Sequence, residues 1–352
     1  MFLLSGWKKG DRKSNEGAIK FFLLGVLSAS LILYGFSLIY GLTGQLVFAD
    51  ISAYLLANSL GSSPVLLLSA ILVISGIGFK ISVVPFHSWA PDTYEGAPLP
   101  ITAYLSVSSK ATGFVALIVL LTKVFESSGQ SWGVILAIVA GATMTLGNLV
   151  ALQQTNPVRL LAYSSISQAG FIIAPLAVSG ITGNYQDGIF ASVTYLIIYA
   201  FMNIGAFLSV HLFTNFTRSD NFYEWGGIAK HSPLAGVLTT VFFFSLAGIP
   251  PLGGWFAKFV VFRSLLSTGE IIGISLAIVG AINAVIALVY YARISKVIWM
   301  DELKNPEEEK SFEFQSPLKV VGALTVLITF VSGIFPGIFS YLGEVSSIFF
   351  GN

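Results

Sequence analysis

The stretch VISGIGFKISVVPFHSW, residues 73–89, places a lysine, Lys80, and a histidine, His87, in a run that is otherwise built from apolar residues, glycine, serine and proline. Several apolar runs of the chain are longer than the ~20 residues that a helix needs to cross the hydrocarbon core of a bilayer, and this stretch belongs to one of them, residues 63–86. Pro85 interrupts it, and a broken membrane helix needs protein or water around the backbone groups that the break releases. The stretch therefore predicts an interrupted membrane helix that carries ionisable groups.

The whole chain has the composition of an integral membrane protein. Of its 352 residues, 55% are hydrophobic and 10% are charged, whereas soluble domains carry about 25% charged residues. The mean hydropathy is +0.83. The apolar runs are continuous and do not alternate with polar residues, which argues against membrane strands. We predict an all-α, polytopic membrane helix bundle.

Apolar runs between turn-like breaks predict about nine transmembrane helices. Their predicted bounds are 15–41, 63–86, 98–124, 131–154, 157–179, 188–213, 232–265, 271–300 and 317–341. Two of them are interrupted by proline, the second at Pro85 and the seventh at residues 248–251 (GIPP). The first is predicted to start behind a Ser14 cap with an ion pair between Glu16 and Lys20.

The loops between these helices differ in charge, and cytoplasmic loops are expected to collect Lys and Arg. If the first loop is cytoplasmic, alternate connections hold 13 of the 18 basic residues, namely Lys8, Lys9, Arg12, Lys13, Lys20, Arg159, Arg218, Lys230, Arg293, Lys296, Lys304, Lys310 and Lys319. The connection 301–316 and its NPEEEK run (305–310) are then cytoplasmic. Asp92 and Glu95, in PDTYEGAPLP (91–100), are expected to lie in a solvated turn.

Three lysines, Lys80, Lys110 and Lys258, belong to no loop. A charged group at the bilayer centre costs roughly 3 kcal/mol on insertion scales, so a lysine there is expected to exchange protons near neutral pH. The alternative is a side chain that snorkels or is paired structurally, and this alternative is strongest for Lys258, which lies nearer a helix end. His87 is either a proton relay in the helix break or an interfacial histidine beside Trp89.

Several classes of chemistry have no support in the sequence. The chain has no cysteine, so it holds no disulfide, thiolate-ligated cluster or thiolate haem ligand, and any redox centre is expected in a partner. The three histidines are not spaced as haem ligands. Neither GxGxxG nor GxxxxGK[ST] occurs, so nucleotide binding by these loops is unsupported. A net charge of +1 gives no case for nucleic acid.

Three long motifs resemble one known family. They are GFKISVVPFHSWAPDTYEGAPLPITAYLSVSSK (78–110), QTNPVRLLAYSSISQAGF (154–171) and SLAGIPPLGGWFAKF (245–259). Together they resemble the subunit N family of NADH-quinone oxidoreductase, respiratory complex I, with its chloroplast-type subunit 2 relatives. The resemblance runs over nearly the whole chain, and it identifies an antiporter-like, proton-translocating membrane subunit.

The resemblance implies a fold of fourteen helices with two inverted five-helix repeats, each of which has one broken helix. The nine predicted helices would be the sixth to the fourteenth. Residues 1–124 would be a remnant of the first repeat, residues 131–300 the second repeat, and residues 301–352 a cytoplasmic connection and the last helix. The family's glutamate lies on the helix of which only MFLLSGW (1–7) would remain, so a chain that lacks the first five helices is expected.

The resemblance also implies roles for four residues and for partners. Lys80 would be the lysine coupled to a glutamate, Lys110 the central relay, Lys258 the terminal lysine and His87 the connecting histidine. No cofactor is expected in this chain, while NADH, FMN, iron-sulfur clusters and quinone are expected in partner subunits. The other membrane subunits of complex I would be its partners, in the inner (plasma) membrane of the cell.

Two other functions stay open on the sequence alone. One is a subunit of a multisubunit sodium/proton antiporter without redox coupling, and the other is a structural spacer in the complex. Related proton-channel and antiporter subunits carry a histidine, and often a lysine, in the helix that corresponds to YLIIYAFMNIGAF (195–207). Here the positions read Tyr199 and Asn203, which favours subunit N.

Overall fold

A computed structural model describes residues 1–302 and 316–351, and these residues contain helices but no strand. Most of the predicted cytoplasmic connection 301–316, with its NPEEEK run, lies outside the described residues. The helices are α1 (Phe2–Ser5), α2 (Arg12–Thr43), α3 (Phe48–Ala57), α4 (Pro64–Ile81), α5 (Trp89–Gly96), α6 (Leu99–Tyr104), α7 (Lys110–Lys123), α8 (Gly129–Ala151), α9 (Pro157–Thr182), α10 (Tyr185–Thr217), α11 (Ile228–His231), α12 (Pro233–Ala247), α13 (Gly253–Ser267), α14 (Ile271–Met300), α15 (Ser316–Ile334) and α16 (Gly337–Gly351).

The predicted membrane bundle is confirmed. Within the described ranges, eight helices are long and apolar enough to cross a membrane, with α6 and α7 counted as one continuous helix, Leu99–Lys123. The seventh predicted helix, 232–265, is the interrupted pair α12 and α13, separated by residues 248–252. The second predicted helix, 63–86, is too long, because α4 ends at Ile81 and the chain turns before α5.

Two features of the helix count differ from the sequence prediction. The predicted helix 317–341 is wrong at its end, because α15 stops at Ile334 and α16 begins at Gly337. Pro336 lies between them, and proline lacks the N–H that a continuing helix would require. The ten-residue helix Phe48–Ala57 was missed, because it is shorter than a membrane span and lies in a predicted connection.

The start of α2 is capped differently from the prediction. Asp11 is the N-cap, and its side chain accepts a hydrogen bond from the Lys13 N–H at 2.9 Å. The Ser14 cap is therefore wrong, and its buried hydroxyl instead donates to a backbone carbonyl of α1. The predicted pair of Glu16 and Lys20 is confirmed, with 2.7 Å between the carboxylate and the ammonium nitrogen.

Helix α9 lies at the centre of the bundle, and almost every one of its residues is buried. Its closest neighbour is α8, and glycines allow the two backbones to approach. A Cβ at Gly147 would lie 2.7 Å from the backbone nitrogen of Ser167, and a Cβ at Gly170 would lie 2.7 Å from the Met144 side chain. Small residues at helix contacts are typical of membrane proteins. The polar side chains of α9 are therefore sealed from lipid.

Candidate functional site

The first helix break follows α4. Ser82 adopts the left-handed conformation with φ of 60° and ends the helix. The break leaves the last carbonyls of α4 without helical partners. The indole nitrogen of Trp89, at the start of α5, donates to the Phe79 carbonyl at 2.9 Å, and the Ser82 N–H donates to the same oxygen at 3.1 Å. The first break is therefore closed by neutral donors.

Lys80 lies one residue before the end of α4, and its side chain is exposed. It lines a cavity of about 550 Å³ between α1, α2, α4 and α7, together with Phe2, Gly25 and Thr112. Its side chain packs against α7, where a Cβ at Gly113 would lie 3.0 Å from the Lys80 Cγ. Among the described residues, Lys80 has no hydrogen bond or ion pair.

Lys110 begins α7 directly after a π-helical turn, Leu105–Ser109. It is 1% exposed, and its ammonium nitrogen lies 2.9 Å from the Ser165 hydroxyl and 3.1 Å from the Ser165 carbonyl oxygen on α9. No ion pair involves Lys110 in the part of the chain that the structure describes. A buried lysine that has only neutral partners is a group for which the charged form is costly.

Lys258 lies on α13, behind the second break. Helix α12 ends at Ala247, and Gly248 adopts φ of 95°. The Lys258 nitrogen reaches back across the break and donates to the Leu246 carbonyl at 3.2 Å and to the Ala247 carbonyl at 2.6 Å. It also lies 5.3 Å from the centre of the Phe171 ring. A cation at the negative end of a helix dipole is a favourable arrangement.

His87 lies in the first break, where it is half-buried. Its Nδ1 atom is buried and has no hydrogen-bond partner among the described residues. The structure thus places Lys110 and Lys258 beside α9 and His87 in the first break, while Lys80 opens onto a separate cavity.

Sequence reasoning missed the polar residues that join these lysines. Gln168, on α9, donates through Nε2 to the Leu246 carbonyl at 3.2 Å, the same oxygen that Lys258 contacts. Its Oε1 accepts a hydrogen bond from the hydroxyl of Tyr195 on α10. The available signal was a glutamine in an apolar run, but its partners come from helices that are distant in sequence.

Asp92 and Glu95 do not lie in a solvated turn, so that prediction was wrong. They lie on α5, one turn apart, and form an ionic cluster with Lys13, Lys20 and Arg159. The Arg159 Nη1 atom lies 2.8 Å from each carboxylate, Lys20 lies 2.6 Å from Asp92, and Lys13 lies 2.7 Å from Glu95. The cluster connects α5 to α2 and α9, and thereby holds the far side of the first break.

The pKa values of the two carboxyls in this cluster are lowered. Burial favours the neutral acids, but the hydrogen bonds from the neighbouring cations outweigh burial. Lys20 and Arg159 lower the pKa of Asp92, and Lys13 and Arg159 lower the pKa of Glu95. Both groups are therefore carboxylates at neutral pH, and the cluster is ionised.

A metal site is not suggested by the part of the chain that the structure describes, which contains no group of three or more His, Cys, Asp or Glu side chains that could hold an ion. The arrangement around α9 instead offers amines, hydroxyls and an amide, all of which can exchange or donate protons.

Comparisons with known proteins point to one family. Residues 1–286 match the family described as NADH:quinone oxidoreductase/Mrp antiporter, TM. The chain is 40% identical over 343 residues to NAD(P)H-quinone oxidoreductase subunit 2, chloroplastic, of Mesostigma viride. This match covers 95% of this chain and 67% of the relative. It is 39% identical over 334 residues to NADH-quinone oxidoreductase subunit N of Moorella thermoacetica, and this match covers 95% of this chain and 68% of the relative.

A solved structure with the same fold is a chain of respiratory complex I from Thermus thermophilus with bound aureothin. It is similar with a TM-score of 0.75 and 29% sequence identity, and the match covers 97% of this chain and 71% of that chain. The curated relatives are longer than this chain, which spans between 64% and 70% of their length.

Proposed function

Because this multi-pass membrane chain belongs to the NADH:quinone oxidoreductase/Mrp antiporter transmembrane family, we propose that it is a proton-translocating membrane subunit of an NADH-quinone oxidoreductase, complex I. It moves protons through buried lysines, and the movement is coupled to quinone reduction in partner subunits. The chain is part of an enzyme complex and performs no redox chemistry itself.

The observation that carries this proposal is the pair of buried lysines beside α9. Lys110 and Lys258 are 1% and 4% exposed, and each contacts only hydroxyl or carbonyl oxygens. A purely structural lysine would be expected to have a carboxylate partner, because an unpaired buried charge is costly. A lysine surrounded by neutral oxygens can instead alternate between ammonium and amine.

The four site residues take different roles in this proposal. Lys80 faces the cavity between α1, α2, α4 and α7, where a coupling charge from outside the described contacts would act on it. Lys110 is the central relay, His87 connects Lys80 with Lys110 through the first break, and Lys258 is the terminal site. A change of charge beside one amine alters the proton affinity of the next, which drives the proton along the series.

The redox groups and partners follow from the same assignment. NADH, FMN, iron-sulfur clusters and quinone belong to partner subunits, and the neighbours of this chain in the bilayer are the other membrane subunits of the complex. The membrane is the inner (plasma) membrane of the cell. Affinity purification from the native membrane, followed by identification of the co-purifying subunits, tests this assignment. Recovery of only sodium/proton antiporter subunits would contradict it.

A second experiment tests the chemistry in the intact complex. Lys110→Ala and Lys258→Ala should lower proton pumping while the complex still assembles. Lys110→Arg should also impair pumping, because arginine does not release its proton. Lys123→Ala is the matched control, because Lys123 lies at the far end of the same helix and is partly exposed. Full pumping by Lys110→Arg would rule out titration of this residue.

A further inference from the structure

The two buried lysines contact the same face of α9. Lys110 bonds to Ser165, while Lys258 shares the Leu246 carbonyl with Gln168. Ser165 and Gln168 are three residues apart on α9, so their side chains lie on one face, one turn from each other. The space between the two lysines is therefore lined by polar groups of α9 and of the helix that packs against this face.

Helix α10 packs against this face of α9 and presents two tyrosines one turn apart, Tyr195 and Tyr199. Both are at most 1% exposed. Ser192 bonds to the Ile172 carbonyl and Tyr195 bonds to Gln168, so α9 and α10 are antiparallel, and Tyr199, one turn further along α10, lies level with Ser165. The Tyr199 hydroxyl is buried and has no hydrogen bond to any described residue. The hydroxyl of Tyr195 bonds to Gln168. The two hydroxyls thus occupy the interval between Ser165 and Gln168.

The contacts of Gln168 fix the direction of its amide. An amide has one accepting oxygen and one donating nitrogen. The nitrogen faces the Leu246 carbonyl, so the oxygen faces Tyr195, whose hydroxyl must be the donor. The lone pairs of the Tyr195 oxygen are then available to accept a proton from the side of Tyr199.

Lys258 lies at the other end of this series. It shares one carbonyl oxygen with Gln168, so its nitrogen is about two hydrogen bonds from the amide. Its ammonium group lies over the Phe171 ring, and that ring stacks on Tyr195 with 6.2 Å between the ring centres. Gln168, Phe171 and Tyr195 therefore hold one cluster around the terminal lysine.

We propose that the hydroxyls of Tyr199 and Tyr195 carry the proton between Lys110 and Lys258, and that Gln168 is the positioning residue that holds the Tyr195 hydroxyl beside Lys258. The inference rests on the proposed function and names the groups that connect its two buried amines. Among the described residues, the groups that form this connection are Ser165, Tyr199, Tyr195 and Gln168, and none of them is a carboxylate or an imidazole.

The proton balance of this step is simple. Lys110 loses one proton from its ammonium group and becomes an amine. Each tyrosine oxygen forms a new O–H bond with the arriving proton while its former O–H bond breaks, so both side chains end neutral. Lys258 begins as an amine and ends as an ammonium group. For the last transfer, the Tyr195 hydroxyl turns from the Gln168 oxygen toward the Lys258 nitrogen.

The test uses the intact complex in proteoliposomes, with proton pumping and quinone reduction measured together. Tyr195→Phe and Tyr199→Phe remove only hydroxyls, and the ring stacking on Phe171 remains. Each should reduce the rate of proton transfer by about 10²-fold, as expected for loss of a positioned acid-base group. Tyr290→Phe is the matched control, since this buried hydroxyl bonds to Asn148 between α8 and α14, and it should keep normal pumping.

The outcomes separate this inference from the proposed function. If Lys110→Ala and Lys258→Ala lose pumping while both tyrosine variants pump normally, the lysine function stands and the tyrosine relay is wrong. If the lysine variants also pump normally, the proposed function itself fails. If Tyr290→Phe loses as much pumping as Tyr195→Phe, the effect is a general loss of packing and the relay is again contradicted.

Gln168 needs a readout that a purely structural role would not change. Gln168→Glu keeps an acceptor for Tyr195 but places a negative charge beside Lys258, which then holds its proton to higher pH. The pH dependence of pumping should shift upward by roughly one to three pH units. Gln168→Leu should reduce pumping at all pH values. An unshifted profile in Gln168→Glu, with normal assembly, would show that Gln168 does not act on Lys258.

Discussion

The two helix breaks have similar sequences but close in different ways. In the first, a lysine precedes the break, its side chain is exposed, and the Phe79 carbonyl is capped by the Trp89 indole. In the second, the lysine follows the break and is buried, and its own ammonium group caps the carbonyls of Leu246 and Ala247. The lysine that follows its break therefore caps the backbone carbonyls there, and the lysine that precedes its break does not.

This difference shows that a lysine beside a helix break can stabilise the break, as Lys258 does, or leave that to neutral groups, as Lys80 does. In the proposed function Lys258 has both a structural and a chemical task, because loss of its side chain also leaves the buried Ala247 carbonyl without its donor. Lys80 has no bonded partner among the described residues, and neutral groups complete its break without it. Substitution of Lys258 should therefore change stability and pumping together, and substitution of Lys80 should change pumping alone.

The largest effect on stability is expected for Lys258→Met. Two buried hydrogen bonds from a cation are lost, and the Ala247 carbonyl is left without its donor while Gln168 still reaches the Leu246 carbonyl, which should cost about 2–5 kcal/mol. Thermal unfolding in detergent, followed by circular dichroism, measures the loss. Lys258→Arg is the control, because it keeps a donating cation and should lose less stability while still failing to pump. Equal stability of Lys258→Met and the unmodified protein would show that the second break does not depend on this contact.

A smaller loss is expected for Trp89→Phe, about 1–3 kcal/mol. The indole donor is removed, but the Ser82 N–H still reaches the Phe79 carbonyl, and stacking on Phe21 at 4.4 Å is retained. Trp132→Phe is the matched control, because its indole also donates to a carbonyl, that of Phe125, at 2.9 Å. Both variants should lose similar stability, and only Trp89→Phe should lose pumping. If Trp132→Phe impairs pumping equally, the first break has no special role.

The ionic cluster beside the first break should make stability depend on pH. The folded-state pKa values of Asp92 and Glu95 are lowered, so their contribution is full above the unfolded values of about 4 and is lost as pH falls through the folded values. Arg159→Met should cost on the order of 1–2 kcal/mol at pH 7 and should weaken this loss at low pH. Unfolding temperatures between pH 3 and pH 7 measure both effects.

The control for the cluster is Arg263→Met. It breaks a looser ion pair, in which the Arg263 Nη2 atom lies 3.5 Å from the Asp187 carboxylate and the arginine side chain is 57% exposed. Surface pairs of this kind contribute little, so its stability should hardly change. Parallel pH curves for Arg159→Met and the unmodified protein would contradict the role assigned to the cluster.

The smallest effect on stability is expected for Lys80→Ala, within about 0.5 kcal/mol. No hydrogen bond or ion pair among the described residues is lost. Proton pumping by the intact complex should nevertheless fall. A large loss of stability in Lys80→Ala would show that both lysines are structural and would remove the difference between the breaks.

The sequence was sufficient to predict the membrane bundle and both breaks, because long apolar runs and proline act locally. It was misleading at PDTYEGAPLP (91–100), where proline and glycine suggested a turn. Pro91 falls in the first turn of α5, where its missing N–H is not needed. The carboxylates then meet cations from α2 and α9, which are distant in sequence, so no local pattern could reveal the cluster.

The candidate site was predictable in part for the same reason. Lys80, Lys110, Lys258 and His87 stand out because each is ionisable within an apolar run. Their environments did not follow from the sequence, since burial of Lys110 and exposure of Lys80 depend on which helices pack beside them. Gln168 is polar but uncharged, and its importance becomes visible only when two helices share one carbonyl oxygen.

The π-helical turn Leu105–Ser109 sets the direction in which the Lys110 side chain leaves its helix. An α-helix advances about 100° per residue, and a π-turn accommodates one extra residue in a helical turn. A regular α-helix of the same length would rotate the following side chains by about 100°, away from Ser165. Substitutions in this turn that favour the regular α-helix would therefore turn Lys110 away from α9 without changing the lysine itself.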